Sequence, residues 1–581
     1  MLGSITYHHG IGIPILSLVL WLPAIGALIV SAIGKEKISL IRSTAFAVAF
    51  IDFLFSLPLY FAYQGGTAKM QFVENFSWIP SIGANYHLGV DGISLWMVIL
   101  TTFMGWITVL STFTAIKERV KEFMVVILLI QTAMLGVFMS VDLLLFYLFW
   151  EAQLVPMFLM IGVWGAGRKI YSSYKFFIYT VVGSFPLVLG LLAVYYNYHD
   201  YALAHHLSVK YTFDILRLYT APLPSFTQMW VFWVLFLAFA IKVPMIPFHT
   251  WLPDVHVDAP TAGSVILAAI LLKMGAYGFY RFSIPLLPAA NFKFYPYVMF
   301  ISGVAIVYAS WVCMNQVDMK KLVAFSSVAH MGYITMGIFV LNQYGLEGGI
   351  LQMVNHGISS GGLFLVVGLI YDRRHTRDIQ EFGGLFKILP IFTAYFATIM
   401  LSSMGMPGMN GFVGELFVII GTFQTSLVYG LITVAGILFC AAYLLWMFQR
   451  VALGKPVNPK NAGLKDLSFR EQMTMAPLVV AIFLIGLYPK PFVKTIRPGV
   501  ANLLSLVREG RSLDDHEVEA VMSHLHPKQH KIFDLRMIRK MAGETQTRPQ
   551  TVKAVSAKPE KPPLKPTEIS NNMILKNRYL D

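Results

Sequence analysis

Charged residues and cysteines are scarce in this sequence. Of its 581 residues only 13% are charged, whereas 56% are hydrophobic. That balance is far too apolar for a soluble globular protein. The two cysteines, Cys313 and Cys440, lie in separate apolar segments. Two isolated thiols are too few for an iron–sulfur cluster, which needs four ligands.

Several redox and nucleotide motifs are also missing. The sequence has no CxxC pair, no P-loop and no GxGxxG motif that opens a helix after a strand. His249 and His256 flank one loop without a third candidate ligand, so we predict no metal site there. We therefore expect this chain to carry no cofactor, redox centre, nucleotide site or covalent nucleophile.

Long apolar runs take up most of the chain. A run of about 20 apolar residues can cross a bilayer as a helix, so the sequence predicts an all-α polytopic membrane protein. We expect the first run to be retained as a span, because neither a basic n-region nor a clear cleavage site accompanies it. About fourteen transmembrane helices are predicted, near residues 14–33, 43–63, 93–115, 122–140, 142–164, 174–197, 229–247, 260–280, 295–315, 321–341, 346–370, 386–420, 427–449 and 474–490.

Two of these spans, the seventh and the twelfth, are predicted to be discontinuous helices. Pro244 and Pro247 closely follow Lys242 in the seventh, and residues 405–411 (GMPGMNG) interrupt the twelfth. Broken helices at matching positions often mark repeated units in transporters. The two breaks are five spans apart, and because five is odd, successive units would have opposite orientations. This spacing predicts two inverted five-helix repeats.

The predicted division of the chain has five parts. Residues 1–121 hold the N-terminal transmembrane helices, 122–280 the first five-helix unit, 295–450 the second unit and 474–490 the last span. Residues 501–581 form a polar C-terminal extension, and its proline- and lysine-rich composition predicts that it is partly disordered.

Lysine and arginine are unevenly distributed between the two sets of loops. Loops that follow odd-numbered spans, with their flanks, hold twenty of these residues, and the loops on the other side hold five. Basic residues concentrate in cytoplasmic loops of membrane proteins. The bias therefore supports fourteen spans, with both termini on the outer, periplasmic face of a cell inner membrane.

Ionisable residues inside the apolar spans are the main functional signal. Charges at bilayer depth are costly and mark ion or proton pathways. A nearby carboxylate holds a lysine charged, and its withdrawal lets desolvation favour the neutral amine. Histidines titrate near neutral pH and can relay protons. The candidate site residues are Glu151, Lys242, Lys273, His330, His356 and Glu415.

Each candidate also has a structural interpretation. A lone intramembrane glutamate or lysine can form an ion pair that only orients two helices, and a single histidine can be a packed polar residue. Ser326 and His330, like Gln352 and His356, are four residues apart and share a helix face. Ionisable groups in six different spans favour a proton path over six separate structural roles.

Four segments resemble antiporter-like subunits of respiratory complex I, the NADH:quinone oxidoreductase. Residues 242–264 (KVPMIPFHTWLPDVHVDAPTAGS) are similar to one signature of the family and residues 318–332 (DMKKLVAFSSVAHMG) to a second. Residues 149–152 (FWEA) and 406–415 (MPGMNGFVGE) resemble the M branch, the counterpart of mitochondrial subunit 4. The resemblance covers about residues 10–495.

The resemblance implies a role for each candidate residue. Glu151 and Lys242 would be the charged pair of the first half-channel, and Lys273 and His330 the central connection. Glu415 would exchange protons with the outside, and a glutamate rather than a lysine there favours the M branch. The implied function is proton translocation in the membrane arm, coupled to electron transfer in other subunits of an NADH:quinone oxidoreductase.

The expected partners and the alternative functions also follow from this superfamily. Implied partners are the other membrane-arm subunits, including neighbouring antiporter-like subunits, and lipids, with no nucleic acid. The alternatives are a cation/proton antiporter subunit of the Mrp type, a membrane subunit of a hydrogenase- or ferredoxin-linked relative, and a structural spacer that transports nothing. The eighty-residue tail departs from the compact M pattern.

Overall fold

The computed structural model describes residues 13–455 and 458–509 and confirms an all-α polytopic membrane fold. Within these ranges thirteen helices or helix series are long and apolar enough to cross a membrane. The predicted twelfth span is instead two shorter helices, which accounts for the difference from fourteen.

The helices of the first half of the chain are α1 (Ile15–Ala32), α2 (Ile38–Phe61), α3 (Leu95–Ala115), α4 (Val120–Met139), α5 (Leu143–Ala152), α6 (Leu154–Trp164), α7 (Lys169–Ala204), α8 (Ile215–Leu218), α9 (Ser225–Lys242), α10 (Trp251–Asp258), α11 (Thr261–Ile266), α12 (Leu272–Gly278) and α13 (Ile284–Leu286). The eighth span runs through α11, α12 and α13 by way of two π-helical segments, Leu267–Leu271 and Phe279–Ser283. The remaining helices are α14 (Pro288–Met314), α15 (Met319–Phe339), α16 (Gln343–Arg374), α17 (Pro390–Ser403), α18 (Asn410–Thr425), α19 (Leu427–Ala452), α20 (Phe469–Leu487) and α21 (Lys490–Glu509).

The two predicted breaks are present. Helix α9 ends at Lys242, and the chain resumes a helical path at Phe248 after the two prolines. Between α17 and α18, Gly405 and Gly408 adopt φ angles of +76° and +86°. Side chains with a Cβ rarely adopt this left-handed conformation, so these glycines allow the chain to turn in mid-membrane. The predicted five-helix units each contain one such break.

Polar caps define where several spans begin. Asp142 accepts hydrogen bonds from the backbone N–H groups of Leu144 and Leu145 at the start of α5. Asp318 does the same for Lys320 and Lys321 at the start of α15. These caps satisfy N–H groups that have no partner within the helix.

A β-hairpin between α2 and α3 is a feature that we did not predict. Strand β1 (Gln71–Ile79) pairs antiparallel with β2 (Ala84–Val90), with Ile79 opposite Ala84. The hairpin attaches to the bundle because Asp142 also accepts a hydrogen bond from the N–H of Asn85, at 2.9 Å. The hairpin thus contacts the start of α5, the helix that carries Glu151.

Helix α21 packs on the same face of the bundle as the hairpin. The Trp96 indole N–H donates to the Thr495 hydroxyl at 2.7 Å, and the rings of Trp96 and Phe492 are 4.1 Å apart. Gly92 lies against the backbone of Thr495, and a Cβ added at Gly92 would be only 2.0 Å from the Thr495 carbonyl oxygen. The predicted extension, 501–581, overlaps the end of this helix, and its residues from 510 onward lie outside the described part of the chain.

A buried ion pair connects the start of α3 to the eighth span. Arg281 Nη2 lies 2.8 Å from Asp91 Oδ1, and both side chains are at most 7% exposed. Burial would raise the pKa of Asp91, but the Arg281 charge and N–H groups of Ile93 and Ser94 outweigh it and hold the pKa below the ordinary value of 3.8. The pair therefore stabilises the fold above about pH 4, and that contribution is lost as the pH falls through the lowered pKa.

Asp91→Asn is expected to destabilise the folded chain by about 3–5 kcal/mol, because it leaves the Arg281 charge buried without a counter-charge. Thermal unfolding of the purified chain or complex in mild detergent measures this loss. The double variant Asp91→Asn/Arg281→Met, which removes both charges, should recover most of the stability. An unchanged melting temperature in the single variant would contradict a structural role for the pair.

The most enclosed spans lie at the centre of the bundle. In the most apolar 18-residue stretch of the eighth span 100% of the residues are buried within the protein, and in those of α15 and α16 94% are buried. The corresponding share in α2 and α20 is 28%. The peripheral helices therefore lie on the outside of the bundle. Charged side chains on the central helices are enclosed by the rest of the bundle.

Candidate functional site

The six predicted site residues lie on six different helices. Five of them have buried side chains, and Glu151 is partly buried. The residues are Glu151 on α5, Lys242 on α9, Lys273 on α12, His330 on α15, His356 on α16 and Glu415 on α18.

Four of these side chains form a continuous chain of contacts. Lys273 Nζ is 2.6 Å from His356 Nδ1. The imidazole rings of His356 and His330 are 5.4 Å apart, centre to centre. His330 Nδ1 is 3.2 Å from Glu415 Oε1. The series Lys273–His356–His330–Glu415, here called the central chain, joins the eighth span to the second broken span.

His356 has a more central position than the sequence suggested. The family resemblance implied that Lys273 and His330 form the central connection, and the structure places the His356 ring between them. Lys273 Nζ also donates to the backbone carbonyl of Ala268, five residues earlier, in a π-helical segment. Such π-helical turns replace the usual α-helical backbone hydrogen bonds with more widely spaced ones, and they are frequent at functional sites. The widened turn thus gives the amine a second polar partner.

The carboxylate of Glu415 lies beside the break in the twelfth span. Gln352 Nε2 donates to Glu415 Oε1 at 3.1 Å. Oε2 of Glu415 faces Gly405, where an added Cβ would be only 2.5 Å away. Gly405 therefore serves two purposes, because it permits the turn and leaves room for the carboxylate.

Gly405→Ala is expected to displace the Glu415 carboxylate and weaken its contact with His330. Gly408→Ala is the matched control, because Gly408 also has a positive φ, while its nearest neighbour would be Leu487 Cδ2 at an ordinary 3.8 Å. Both variants carry the same backbone strain of roughly 1–2 kcal/mol. The proton translocation that the sequence resemblance implies should fall in the first variant and persist in the second. Equal pumping in both would show that the space beside Glu415 is unimportant.

Lys242 and Glu151 are close in the fold but not in contact in this structure. Neither Lys242 Nζ nor Glu151 Oε1 has a hydrogen-bond partner, and the two residues form no ion pair within 4.0 Å. Lys242 is 2% exposed, and its Nζ lies 5.3 Å from the Trp150 ring centre and 5.8 Å from that of Phe176. Cation–π contacts of this kind offset part of the cost of a buried ammonium. The predicted charged pair is therefore in a separated arrangement.

Several polar atoms along the central chain have no protein partner. They include His356 Nε2, Gln352 Oε1 and Asn355 Oδ1, all on α16 and all buried. Nearly all buried polar atoms in proteins are hydrogen-bonded, and exceptions call for a functional or hydration role. Helix α16 thus presents a polar face to the centre of the bundle.

Three polar residues near the central chain were not among the predicted site residues. Lys320 counted as a loop residue, yet it is 6% exposed and its Nζ donates to the carbonyl of Ala259 at 2.6 Å. His256 is fully buried, stacks on Phe364 at 4.3 Å and has both ring nitrogens unpartnered. Cys440 Sγ lies 3.7 Å from His330 Nε2. The similarity of residues 242–264 and 318–332 to family signatures was the signal that could have drawn attention to His256 and Lys320.

Comparison with known proteins gives this arrangement a family. A family model described as NADH:quinone oxidoreductase/Mrp antiporter, transmembrane, matches residues 140–440. The NADH-quinone oxidoreductase subunit M of Rickettsia conorii is 41% identical over 497 residues, which cover 85% of this chain and 99% of that protein. The NADH-ubiquinone oxidoreductase chain 4 of Marchantia polymorpha is 41% identical over 490 residues, covering 84% and 97%.

A solved structure agrees with these sequence comparisons. A chain of respiratory complex I from Thermus thermophilus with bound NADH superposes with a TM-score of 0.76 at 29% identity, covering 85% of this chain and 99% of that one. The resemblance drawn from the sequence motifs is confirmed. The chain belongs to the NADH:quinone oxidoreductase/Mrp antiporter transmembrane family, in the branch of subunit M and chain 4.

Proposed function

We propose that this chain translocates protons as a membrane-arm subunit of an NADH:quinone oxidoreductase. The observation that carries the proposal is the central chain, in which one lysine, two histidines and one glutamate lie in sequence at mid-membrane depth. Each group can bind and release a proton, and each is shielded from lipid. Structural ion pairs alone would not require two histidines between a lysine and a glutamate.

Lys242 and Glu151 form the switch of the first half of the path. When the Glu151 carboxylate approaches, it stabilises the protonated ammonium, and when it withdraws, the apolar surroundings favour proton release. The separated arrangement seen here corresponds to the second condition. A conformational or electrostatic change in a neighbouring subunit would move the pair between the two conditions.

The central chain carries the proton onward from the eighth span. Lys273 exchanges a proton with His356 Nδ1 across 2.6 Å, and His356 and His330 face each other across 5.4 Å. A bridging water can complete a transfer over that distance. His330 then passes the proton to Glu415 across 3.2 Å. The break beside Glu415 leads toward the outer face.

Energy for transport comes from other subunits in this proposal. The sequence offers only two cysteines, both buried, so we propose that the redox centres belong to partner chains. The partners are the other membrane-arm subunits, including neighbouring antiporter-like subunits, and lipids. The chain lies in the cell inner membrane with both termini on the outer face, as the distribution of basic loops predicts.

The Mrp-type alternative is not favoured. Relatives about 41% identical over most of the chain carry names of NADH–quinone oxidoreductase subunits. Affinity purification of the tagged chain in mild detergent, with an assay of NADH:quinone activity, separates the remaining possibilities. Co-purifying flavin and iron–sulfur subunits with NADH oxidation are expected. Iron–sulfur subunits without NADH oxidation would favour a ferredoxin- or hydrogen-linked relative, and small membrane subunits alone would favour a gradient-driven antiporter.

A further inference from the structure

A second buried carboxylate lies between Glu415 and the face that carries the hairpin and α21. Glu347 is in the first turns of α16, four residues after Gln343, and is 0% exposed. A glutamate so close to the end of a membrane helix would ordinarily extend into water. Its complete burial shows that neighbouring elements enclose it.

Two side chains hold the Glu347 carboxylate. Gln343 Nε2 donates to Oε1 at 2.8 Å, and the Arg497 guanidinium donates through Nε to Oε1 at 3.1 Å and through Nη2 to Oε2 at 3.4 Å. Arg497 belongs to α21, and its side chain is 53% exposed. The buried carboxylate is therefore paired with a half-exposed guanidinium of α21.

Glu347 is also close to the end of the central chain. It lies five residues before Gln352 on α16, which at 1.5 Å per residue is about 7.5 Å along the helix axis. Gln352 donates to Glu415, and its Oε1 has no partner. Between Glu347 and Gln352 the helix has two glycines, Gly348 and Gly349, and the absence of a side chain at Gly349 allows the Tyr280 hydroxyl to reach α16, where it donates to the carbonyl of Leu346 at 2.8 Å.

We propose that Glu347 is the proton-release site of this chain and that Arg497 closes its outlet. This inference rests on the proton translocation proposed above. A proton leaving Glu415 forms an O–H bond at the Glu347 carboxylate, which weakens its ion pair with Arg497. The O–H bond then breaks to a water molecule at the outer surface, and the ion pair forms again. The restored pair opposes the return of a proton.

A purely structural role is the rival explanation. Glu347 and Arg497 would then only attach α21 to the bundle, and loss of either partner would have the same effect. The release role predicts that the two substitutions have different effects. The Glu347 carboxylate binds the proton, whereas the Arg497 guanidinium only opposes its return. The variants Glu347→Gln and Arg497→Ala separate the two roles, and Lys494→Ala removes an exposed positive charge from the same helix as a control.

The experiment measures protons released per NADH oxidised by reconstituted whole complex, with assembly checked by native electrophoresis. Glu347→Gln should lower this ratio to the value found for Glu415→Gln. Lys494→Ala should keep the wild-type ratio. Arg497→Ala should lower the ratio less than Glu347→Gln does and should show faster dissipation of the gradient after NADH is exhausted, because protons return through the outlet that Arg497 no longer closes. Equal losses in Glu347→Gln and Arg497→Ala would overturn the release role in favour of attachment.

The result for Glu415→Gln keeps the two proposals distinguishable. A normal ratio in Glu347→Gln together with a lowered ratio in Glu415→Gln would refute the release site and leave proton translocation by this chain intact. Normal ratios in both variants would refute both proposals. If Glu347→Gln fails to assemble, the double variant Glu347→Gln/Arg497→Gln, which keeps a neutral amide pair, takes its place with the same expected loss.

Discussion

Lys242→Ala is expected to stop proton transfer through the first half of the path while the complex still assembles. The amine has no hydrogen-bond partner, so its removal leaves no orphaned donor or acceptor at that position. Loss of a positioned proton carrier slows transfer by roughly 10²–10⁴-fold. The number of protons that reconstituted complex pumps per NADH should fall by the share that this chain contributes.

Glu151→Ala should produce a similar loss, because Lys242 then has no carboxylate to hold its proton. Lys293→Ala is a suitable control, since Lys293 is an exposed lysine on α14. Normal pumping by fully assembled Lys242→Ala complex would rule out this lysine as a proton carrier. Failure of Lys242→Ala alone to assemble would instead indicate a structural role.

Lys273→Met is expected to interrupt the central chain. Methionine approximates the length of lysine but cannot exchange a proton with His356, which lies 2.6 Å from Nζ in the native protein. The substitution leaves the Ala268 carbonyl and His356 Nδ1 without their Lys273 donor, which costs about 1–3 kcal/mol of stability. Proton transfer through this chain should fall by roughly 10²-fold or more in complex that still assembles.

The histidines provide an internal check on this prediction. His356→Gln keeps a polar side chain beside Lys273 and cannot relay a proton, so it should reproduce the Lys273→Met defect. If His356→Gln pumps normally and Lys273→Met does not, the proton leaves Lys273 by another route. Such a result would remove His356 from the path, in spite of its central position.

The membrane fold was largely predictable because the bilayer imposes simple rules. Backbone groups in lipid must pair within a helix, so apolar runs of about 20 residues indicate spans directly. The two helix breaks were also visible in the sequence, because proline interrupts a helix and glycine permits a turn. The residues concerned are Pro244 and Pro247 in the first break and Gly405 and Gly408 in the second. The β-hairpin escaped prediction because its residues lie outside the apolar runs, where the bilayer imposes no constraint.

The residues of the site were easier to predict than their contacts. A charged residue in an apolar run is visible in the sequence, and all six candidates lie inside the bundle. Helix rotation and tilt decide which of them meet, and these depend on packing between distant segments. That is why the position of His356 between Lys273 and His330, and the separation of Lys242 from Glu151, required the structure.

Lys320 and Glu347 are buried charged residues whose burial could not be predicted from the sequence. Both lie near the ends of spans, where a charged side chain normally reaches water. Their burial results from other segments, since Lys320 contacts Ala259 at the end of α10 and Glu347 is paired with Arg497 of α21. Sequence near the residue itself contains no sign of this enclosure.

The proton-to-NADH ratio of reconstituted complex, compared between wild type and Lys273→Met, is the most direct test of proton transport by this chain. Vesicles with equal NADH:quinone activity and equal passive proton permeability make the comparison valid. A lower ratio in Lys273→Met is expected, because electron transfer continues while this path is interrupted. An unchanged ratio in fully assembled Lys273→Met complex would contradict proton transfer through the central chain.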